Sequence, residues 1–286
     1  MVLTIGVFVI AAVAALLTWG RLGSALAFSD LQKENYRGIP IFAVSGIFVI
    51  ALEVIVVLNL YWGFRQSLHG SHVVAVLVLV LTFGILGWVD DTRGGNSGGG
   101  FEGHLRSAVS QRVVSTGLVK LVGGVLVSLA AVLIADISDG LVEMTRCAAI
   151  VALSANLLNL FDRAPARSSK ISFLWFVILL LSVFIWGDSY SAVHLVWAAG
   201  VVGASVGLMP AELMERHMQG DTGVNATGAI LGFSTVLVSG STVQWVVLVA
   251  LAGFNLASEQ TSFSQVIADN ALLSRVDRAG TRQSNT

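Results

Sequence analysis

Residues 73–89 read VVAVLVLVLTFGILGWV and run straight into Asp90-Asp91. No charge interrupts the run, apolar residues occupy every helical face, and its length approaches the ~20 residues that cross a hydrocarbon core. Working outward, runs of the same kind predict helical spans at 2–20, 41–62, 111–135, 144–161, 171–187, 191–208, 223–240 and 242–257. Composition agrees: 55% of the 286 residues are hydrophobic and 12% charged, where soluble domains carry roughly 25% charged residues. The expected fold is all-α, a polytopic integral membrane bundle of nine to ten transmembrane helices over residues 1–257. A polar tail at 258–286 follows, with apolar residues spaced as in an amphipathic surface helix at Phe263, Val266, Ile267, Leu272, Leu273 and Val276.

The 16 Lys+Arg and 17 Asp+Glu nearly cancel, which leaves no basic field for nucleic acid. Fourteen of the 16 basic residues fall in segments on one side of the predicted spans, with only Arg65 and Arg146 opposite. By the positive-inside rule that side is cytoplasmic, with the N-terminus outside and the tail, carrying Arg275, Arg278 and Arg282, inside. The first run lacks a preceding positive charge and is followed by Arg21, so it reads as a span rather than a secretory signal. Pro40, Pro165 and Pro210 are all assigned to cytoplasmic segments, leaving the spans as continuous helices. Gly94–Gly103, GGNSGGGFEG, lacks a Gly-Lys-Ser/Thr ending and follows a helix, so it reads as a linker rather than a phosphate loop. The lone Cys147 allows no internal disulfide and reads as a small buried hydrophobe.

Acidic groups at the ends of different spans converge on the cytoplasmic side. Asp90 and Asp91 close the third span, Asp162 follows the fifth in Asn156-Leu-Leu-Asn159-Leu-Phe-Asp162, and Asp221 precedes the eighth in Gly220-Asp221-Thr222-Gly223. Each alone reads equally well as an interfacial charge. Adjacent carboxylates repel, however, so a pair beside an apolar span suggests Mg²⁺ or a shared proton. Asparagines in the last turns of an apolar helix likewise cost free energy unless they bind something.

The set Lys33-x-Asn35-x-x-Gly38-Ile39-Pro40, Asp90-Asp91, Asn156-x-x-Asn159-x-x-Asp162 and Gly220-Asp221-x-Gly223 resembles the polyprenyl-phosphate N-acetylhexosamine-1-phosphate transferases, the group that includes phospho-N-acetylmuramoyl-pentapeptide transferase. The motifs match in order from about residue 20 to 258. The resemblance implies a cytoplasmic cleft in which Asp221 holds Mg²⁺ or Mn²⁺. It implies that Asp90 and Asp91 contact metal or deprotonate the lipid phosphate, and that Asp162 sits beside the donor pyrophosphate, as attacking group or bystander. It gives Lys33, Asn35, Lys120, Asn156 and Asn159 to substrate binding. The partners implied are a polyprenyl phosphate, a nucleotide sugar and membrane lipids, with a homodimer also open and nucleic acid excluded. The reaction would start a cell-envelope glycan at the plasma membrane.

Three departures qualify the match, one of them that the polar tail stands where the family has a tenth span. The family continues the second motif to a further aspartate that helps recognise the nucleobase; here that position is Pro165. The family's histidine-rich loop is also missing, since no histidine follows His217. Donor recognition would then either discriminate uridine less than in typical relatives or be rebuilt from Arg163, Arg167 and Lys170, while His217, four residues before Asp221, is a separate candidate for a sugar or phosphate contact. Among the remaining candidates, Glu53 lies mid-span and reads as a functional group or as a protonated interhelical hydrogen-bond donor. His69 and His72 read as external and solvated, and His104 as solvated or phosphate-contacting. Two other classes compete. A transporter would concentrate polar groups at the bilayer midplane, where only Glu53 is found, and an inactive lipid-phosphate binder would not need every aspartate.

Overall fold

The computed structural model describes residues 1–26, 31–35, 37–64, 68–93, 116–187 and 189–282. The linker at 94–103, His104, Arg65 and the first residues of the fourth predicted span lie outside them. The helices are α1 (Val2–Leu26), α2 (Gly46–Phe64), α3 (Gly70–Arg93), α4 (Thr116–Ala135), α5 (Leu141–Phe161), α6 (Arg167–Trp186), α7 (Ser189–His194), α8 (Val196–Leu213), α9 (Gly220–Val238), α10 (Ser241–Gln260), α11 (Phe263–Asp269) and α12 (Ala271–Arg278). The protein is a helical membrane protein, and seven of its described helices are long and apolar enough to cross a bilayer.

At the centre stands α9, packed against α2, α3, α5, α6, α7 and α8. Every residue from Thr222 to Val236 is buried, so its partners are protein rather than lipid, and it tolerates Asn225, Thr227, Ser234 and Thr235 in its sequence. Small residues let the central helices approach closely. Gly228 and Gly232 face the backbone of α5 at Ser154 and Val151, and Gly203 and Gly207 of α8 face carbonyls of Phe8 and Ala12 in α1; a Cβ at any of the four would overlap its neighbour. At the periphery α10 buries little beyond Gln244 and Leu251.

Two features depart from the sequence reading. Residues 32–42 form an antiparallel hairpin of β1 (Gln32–Glu34) and β2 (Pro40–Phe42), pairing Gln32 with Phe42, Lys33 with Ile41 and Glu34 with Pro40. The second helix therefore begins at Gly46 rather than 41. The turn explains the motif spacing: Asn35 Oδ1 accepts the N–H groups of Arg37 (2.9 Å) and Ile39 (3.0 Å). Gly38 takes φ 71°, which a side chain resists. Pro210, expected in a loop, lies inside α8. It sits in the last turn, where its missing N–H removes one helical bond and only the few residues after it have to adapt.

Candidate active site at one end of the bundle

Four elements meet at the end of the bundle where α3 and α5 finish and α4 and α9 begin. Lys120, in the second turn of α4, ion-pairs with Asp221 and lies 3.8 Å from Asp90. Asn159, in the last turn of α5, bridges the pair: its amide nitrogen donates to Asp221 Oδ1 (2.7 Å) and its oxygen accepts from Lys120 Nζ (2.8 Å). Asp90, Lys120, Asn159 and Asp221 thus form one partly exposed polar cluster, with side-chain exposures of 26% for Asp90, 15% for Lys120 and 22% for Asp221.

Asp91 turns the other way. Its carboxylate accepts the N–H of Asp221 (3.2 Å), the N–H of Thr222 (2.9 Å) and the hydroxyl of Thr222 (2.7 Å). A carboxylate from α3 therefore caps the positive end of α9. Lys33, presented by the hairpin, approaches Asp91 at 3.9 Å. The Gly220 motif fits this cap: Gly220 has φ 66°, and a Cβ there would strike the Ala43 carbonyl and the Asp91 carboxylate.

Asp162 caps the C-terminus of α5 and accepts a hydrogen bond from Ser168 Oγ at 2.8 Å. Its carboxyl is enclosed even though the residue keeps some surface. Burial first, and the nearby charge of Glu212 second, push it up to about 8. A cavity of about 150 Å³ opens beside it, lined among others by Asn35, Arg163, Pro165, Glu212, Glu215 and His217. Of its lining residues, Glu212 accepts from Ser169 (2.9 Å), to which Gln219 donates in turn (2.7 Å).

Several expected contacts go elsewhere. Asn156 bonds Asn255 of α10 at 2.6 Å, away from the aspartates. Asn35 donates to Glu215 at 3.1 Å while holding the hairpin turn. His217 is 1% exposed, its ring centre 4.2 Å from that of Trp19 with the two planes tilted by 55°. Its Nδ1 meets Ser45 Oγ (2.7 Å) and its Nε2 the Leu208 carbonyl (3.2 Å), and burial lowers it to about 4. Arg167 and Lys170 hold the tail: Arg167 grips Asp277 through two bonds (2.7 and 2.9 Å), and Lys170 donates to the carbonyls of Val276, Asp277 and Ala279. Of the residues expected to contact the donor, Arg163 and His217 line the cavity, and both ring nitrogens of His217 are already engaged by Ser45 and the Leu208 carbonyl.

The sequence reading missed Glu212, Glu215, Gln219 and Thr222. Two acids closing an apolar helix, as in Ala211-Glu212-Leu213-Met214-Glu215, are the signal that found Asp90 and could have found Glu212.

Among the described residues no group of three or more His, Cys, Asp or Glu converges on one point as a metal site. Mg²⁺ asks for less, since it is commonly bound by one or two carboxylates with the rest of its shell from water and substrate phosphate. Asp90, Asp221 and the Asn159 oxygen supply hard oxygen donors around a position where Lys120 already brings a positive charge, so the donor set suits such an ion. At the opposite end of the bundle a cavity of about 420 Å³ is lined by His69, His72, His194 and Asp136, remote from this chemistry. Glu53 is fully buried against Gly200, and neither carboxyl oxygen has a hydrogen-bond partner among the described residues. The chain matches no protein-family model and no curated protein.

Proposed function

We propose that the protein is a polyprenyl-phosphate glycosyl-1-phosphate transferase, which moves a sugar-1-phosphate from a nucleotide sugar to an isoprenoid phosphate. The observation that carries the reading is the convergence of Asp90, Lys120, Asn159 and Asp221 from four helices at one end of an apolar bundle. A lipid phosphate anchored in a bilayer can reach such a site, and a soluble donor can approach it from water. The reaction joins two anions: an oxygen of the lipid phosphate bonds to the β-phosphorus of the donor as the α–β anhydride breaks and a nucleoside monophosphate leaves. Charge must be neutralised for that attack. Mg²⁺ or Mn²⁺ held by Asp221 with Asp90 would supply part of that neutralisation.

The chain's own groups do the rest. Lys120 is positioned to bind phosphate oxygens once drawn from its carboxylates, and Asn159 orients both Lys120 and Asp221. Asp90, partly exposed, is the carboxylate suited to take the lipid phosphate's proton. Asp91 fixes the start of α9 and thereby the position of Asp221. Asp162, protonated near neutrality, is suited to donate a hydrogen bond to a donor oxygen. The cavity beside it, with Arg163 at its edge, is where the donor's polar parts would lie.

On this reading the seven apolar helices together with α4 and α9 make nine spans, the N-terminus is outside, and the site faces the cytoplasm, as the distribution of basic residues favours. The product would begin a cell-envelope glycan such as peptidoglycan or another polysaccharide at the plasma membrane. A second reading, a lipid-phosphate binder without transfer, draws on Pro165 and on the engagement of Arg167 and Lys170 by the tail. Purified protein incubated with undecaprenyl phosphate, Mg²⁺ and a panel of nucleotide sugars separates the two. Release of nucleoside monophosphate supports the transferase; lipid binding without release for any donor overturns it.

A further inference from the structure

The tail beyond α10 is held against the bundle at three places. Phe263 of α11 stacks on Phe161 at the end of α5 (4.9 Å between ring centres) and meets Phe254 of α10 edge-on. Arg167, the first residue of α6, clamps Asp277 of α12 and bonds Ser264 of α11 (2.9 Å). Farther on, the N–H of Arg282 bonds the Leu213 carbonyl (3.1 Å), and the Arg282 carbonyl accepts from Arg37 of the hairpin (3.3 Å). These anchors are the ends of α5, α6, α8 and α10, all helices apolar enough to cross a bilayer. They set the tail at the level where those helices leave it.

With α12 pinned, its faces have fixed meanings. Ser274 and Asp277, three residues apart, are its partly buried positions, and Asp277 bonds Arg167 at the start of α6. Leu272, Leu273 and Val276 share another arc and remain 69%, 45% and 57% exposed. Ala271, Arg275 and Arg278 occupy a third arc. Because Arg167 neutralises Asp277, the helix presents its arginines without an acidic counterpart of its own. An exposed apolar arc at the edge of the membrane zone, flanked by arginines, fits the acyl–headgroup boundary of an anionic leaflet, with the aliphatic tips in hydrocarbon and the guanidinium groups on lipid phosphates.

We infer that α12 is an interfacial helix that inserts Leu272, Leu273 and Val276 into an anionic lipid leaflet, at a depth set by the Arg167–Asp277 clamp. The inference rests on the apolar helices spanning a membrane and is independent of the proposed reaction. Cys147 is the only cysteine and is buried, so Leu273→Cys or Ala271→Cys in the full-length protein takes a thiol-reactive NBD label at one place.

In vesicles of phosphatidylcholine with phosphatidylglycerol, NBD at 273 should be quenched by lipids brominated high on the acyl chain and shielded from iodide, whereas NBD at 271 should be quenched by iodide. Pure phosphatidylcholine, or Arg275→Gln with Arg278→Gln, should lower the bromolipid quenching at 273 by at least a third, and Asp277→Ala should open position 273 to iodide. Equal iodide quenching at 273 and 271 would overturn the insertion. Equal bromolipid quenching in the two lipid mixtures would overturn the anionic preference, and an unchanged signal in Asp277→Ala would overturn the role of the clamp.

Discussion

Asp91 and Asp221 are joined through backbone rather than through metal-like geometry: the Asp91 carboxylate accepts the N–H of Asp221 at 3.2 Å, so one acid of the pair at the end of α3 holds in place the helix that carries the other acid of the cluster. The adjacent carboxylates Asp90 and Asp91 therefore have different work. Asp91→Ala removes a helix cap along with its bonds to Thr222, and should destabilise the protein by about 1–2 kcal/mol. Asp90→Asn should leave the thermal midpoint unchanged while lowering turnover by at least ~10²-fold, the scale of a lost general base. Melting curves and nucleoside monophosphate release on both variants check the division. A midpoint lowered equally by both substitutions would remove it.

Asp221 sits between Lys120 and Asn159 and carries the expected metal dependence. Turnover should require Mg²⁺ or Mn²⁺ and should disappear in Asp221→Asn, because a hard cation needs an anionic oxygen there. Full turnover in excess chelator would contradict the assignment.

Asparagines 156 and 159 separate a residue in the cluster from one outside it. One helical turn apart, they were expected to share a substrate face, yet Asn156 meets Asn255 whereas Asn159 meets Asp221 and Lys120. Asn159→Ala should lower turnover by ~10-fold or more. Asn156→Ala should leave the donor KM within about twofold and weaken only the contact of α5 with α10, which costs about 1 kcal/mol. Steady-state kinetics on the two variants decide it.

Two buried groups give stability opposite pH dependences. The folded state raises Asp162 to about 8, so this group's contribution to stability is lost as pH climbs from the ordinary carboxylate range toward 8, because the unfolded chain ionises first. The folded state lowers His217 to about 4, so its contribution is lost as pH falls from ~6.5 toward 4, where the unfolded chain takes up the proton. Between pH 6.5 and 8, Asp162→Asn should flatten the decline of the wild-type thermal midpoint. An unchanged slope there would mean that the folded protein carries Asp162 ionised.

What could be read from the sequence followed from local signals. Unbroken apolar runs located the long helices, and acids closing such runs in α3, before α9 and after α5 located Asp90, Asp91, Asp221 and Asp162. The hairpin escaped because each strand is three residues long and β1 carries Lys33 and Glu34, too short and too charged to show an alternating pattern. Asp91 as a cap escaped because the helix it caps begins 130 residues away. The clamp between Arg167 and Asp277 joins residues 110 apart and leaves no periodic trace in either segment, so Arg167 and the neighbouring Lys170 looked available to a donor. Helix α9 reads as a weak span because its hydrogen-bonding side chains are enclosed by other helices, a property of packing order rather than of composition.

That clamp changes the expectation for donor recognition. With Pro165 in it, the turn after Asp162 offers neither a side-chain acceptor nor a backbone N–H at that position. Arg167 and Lys170 already serve the tail, leaving Arg163 as the basic side chain on the cavity beside Asp162, opposite Glu212 and Glu215. Arg163→Ala should raise the donor KM by ~10-fold, the loss expected for one charged hydrogen-bonding contact. Lys170→Ala should leave the donor KM unchanged and loosen the tail, read as faster proteolysis after residue 260. Uridine and cytidine monophosphates should compete with the preferred donor about equally, since a site without a dedicated base partner discriminates poorly between bases. A strong uridine preference that survives Arg163→Ala would move base recognition to Glu212, Glu215 or Asn35, the other polar side chains on the same wall.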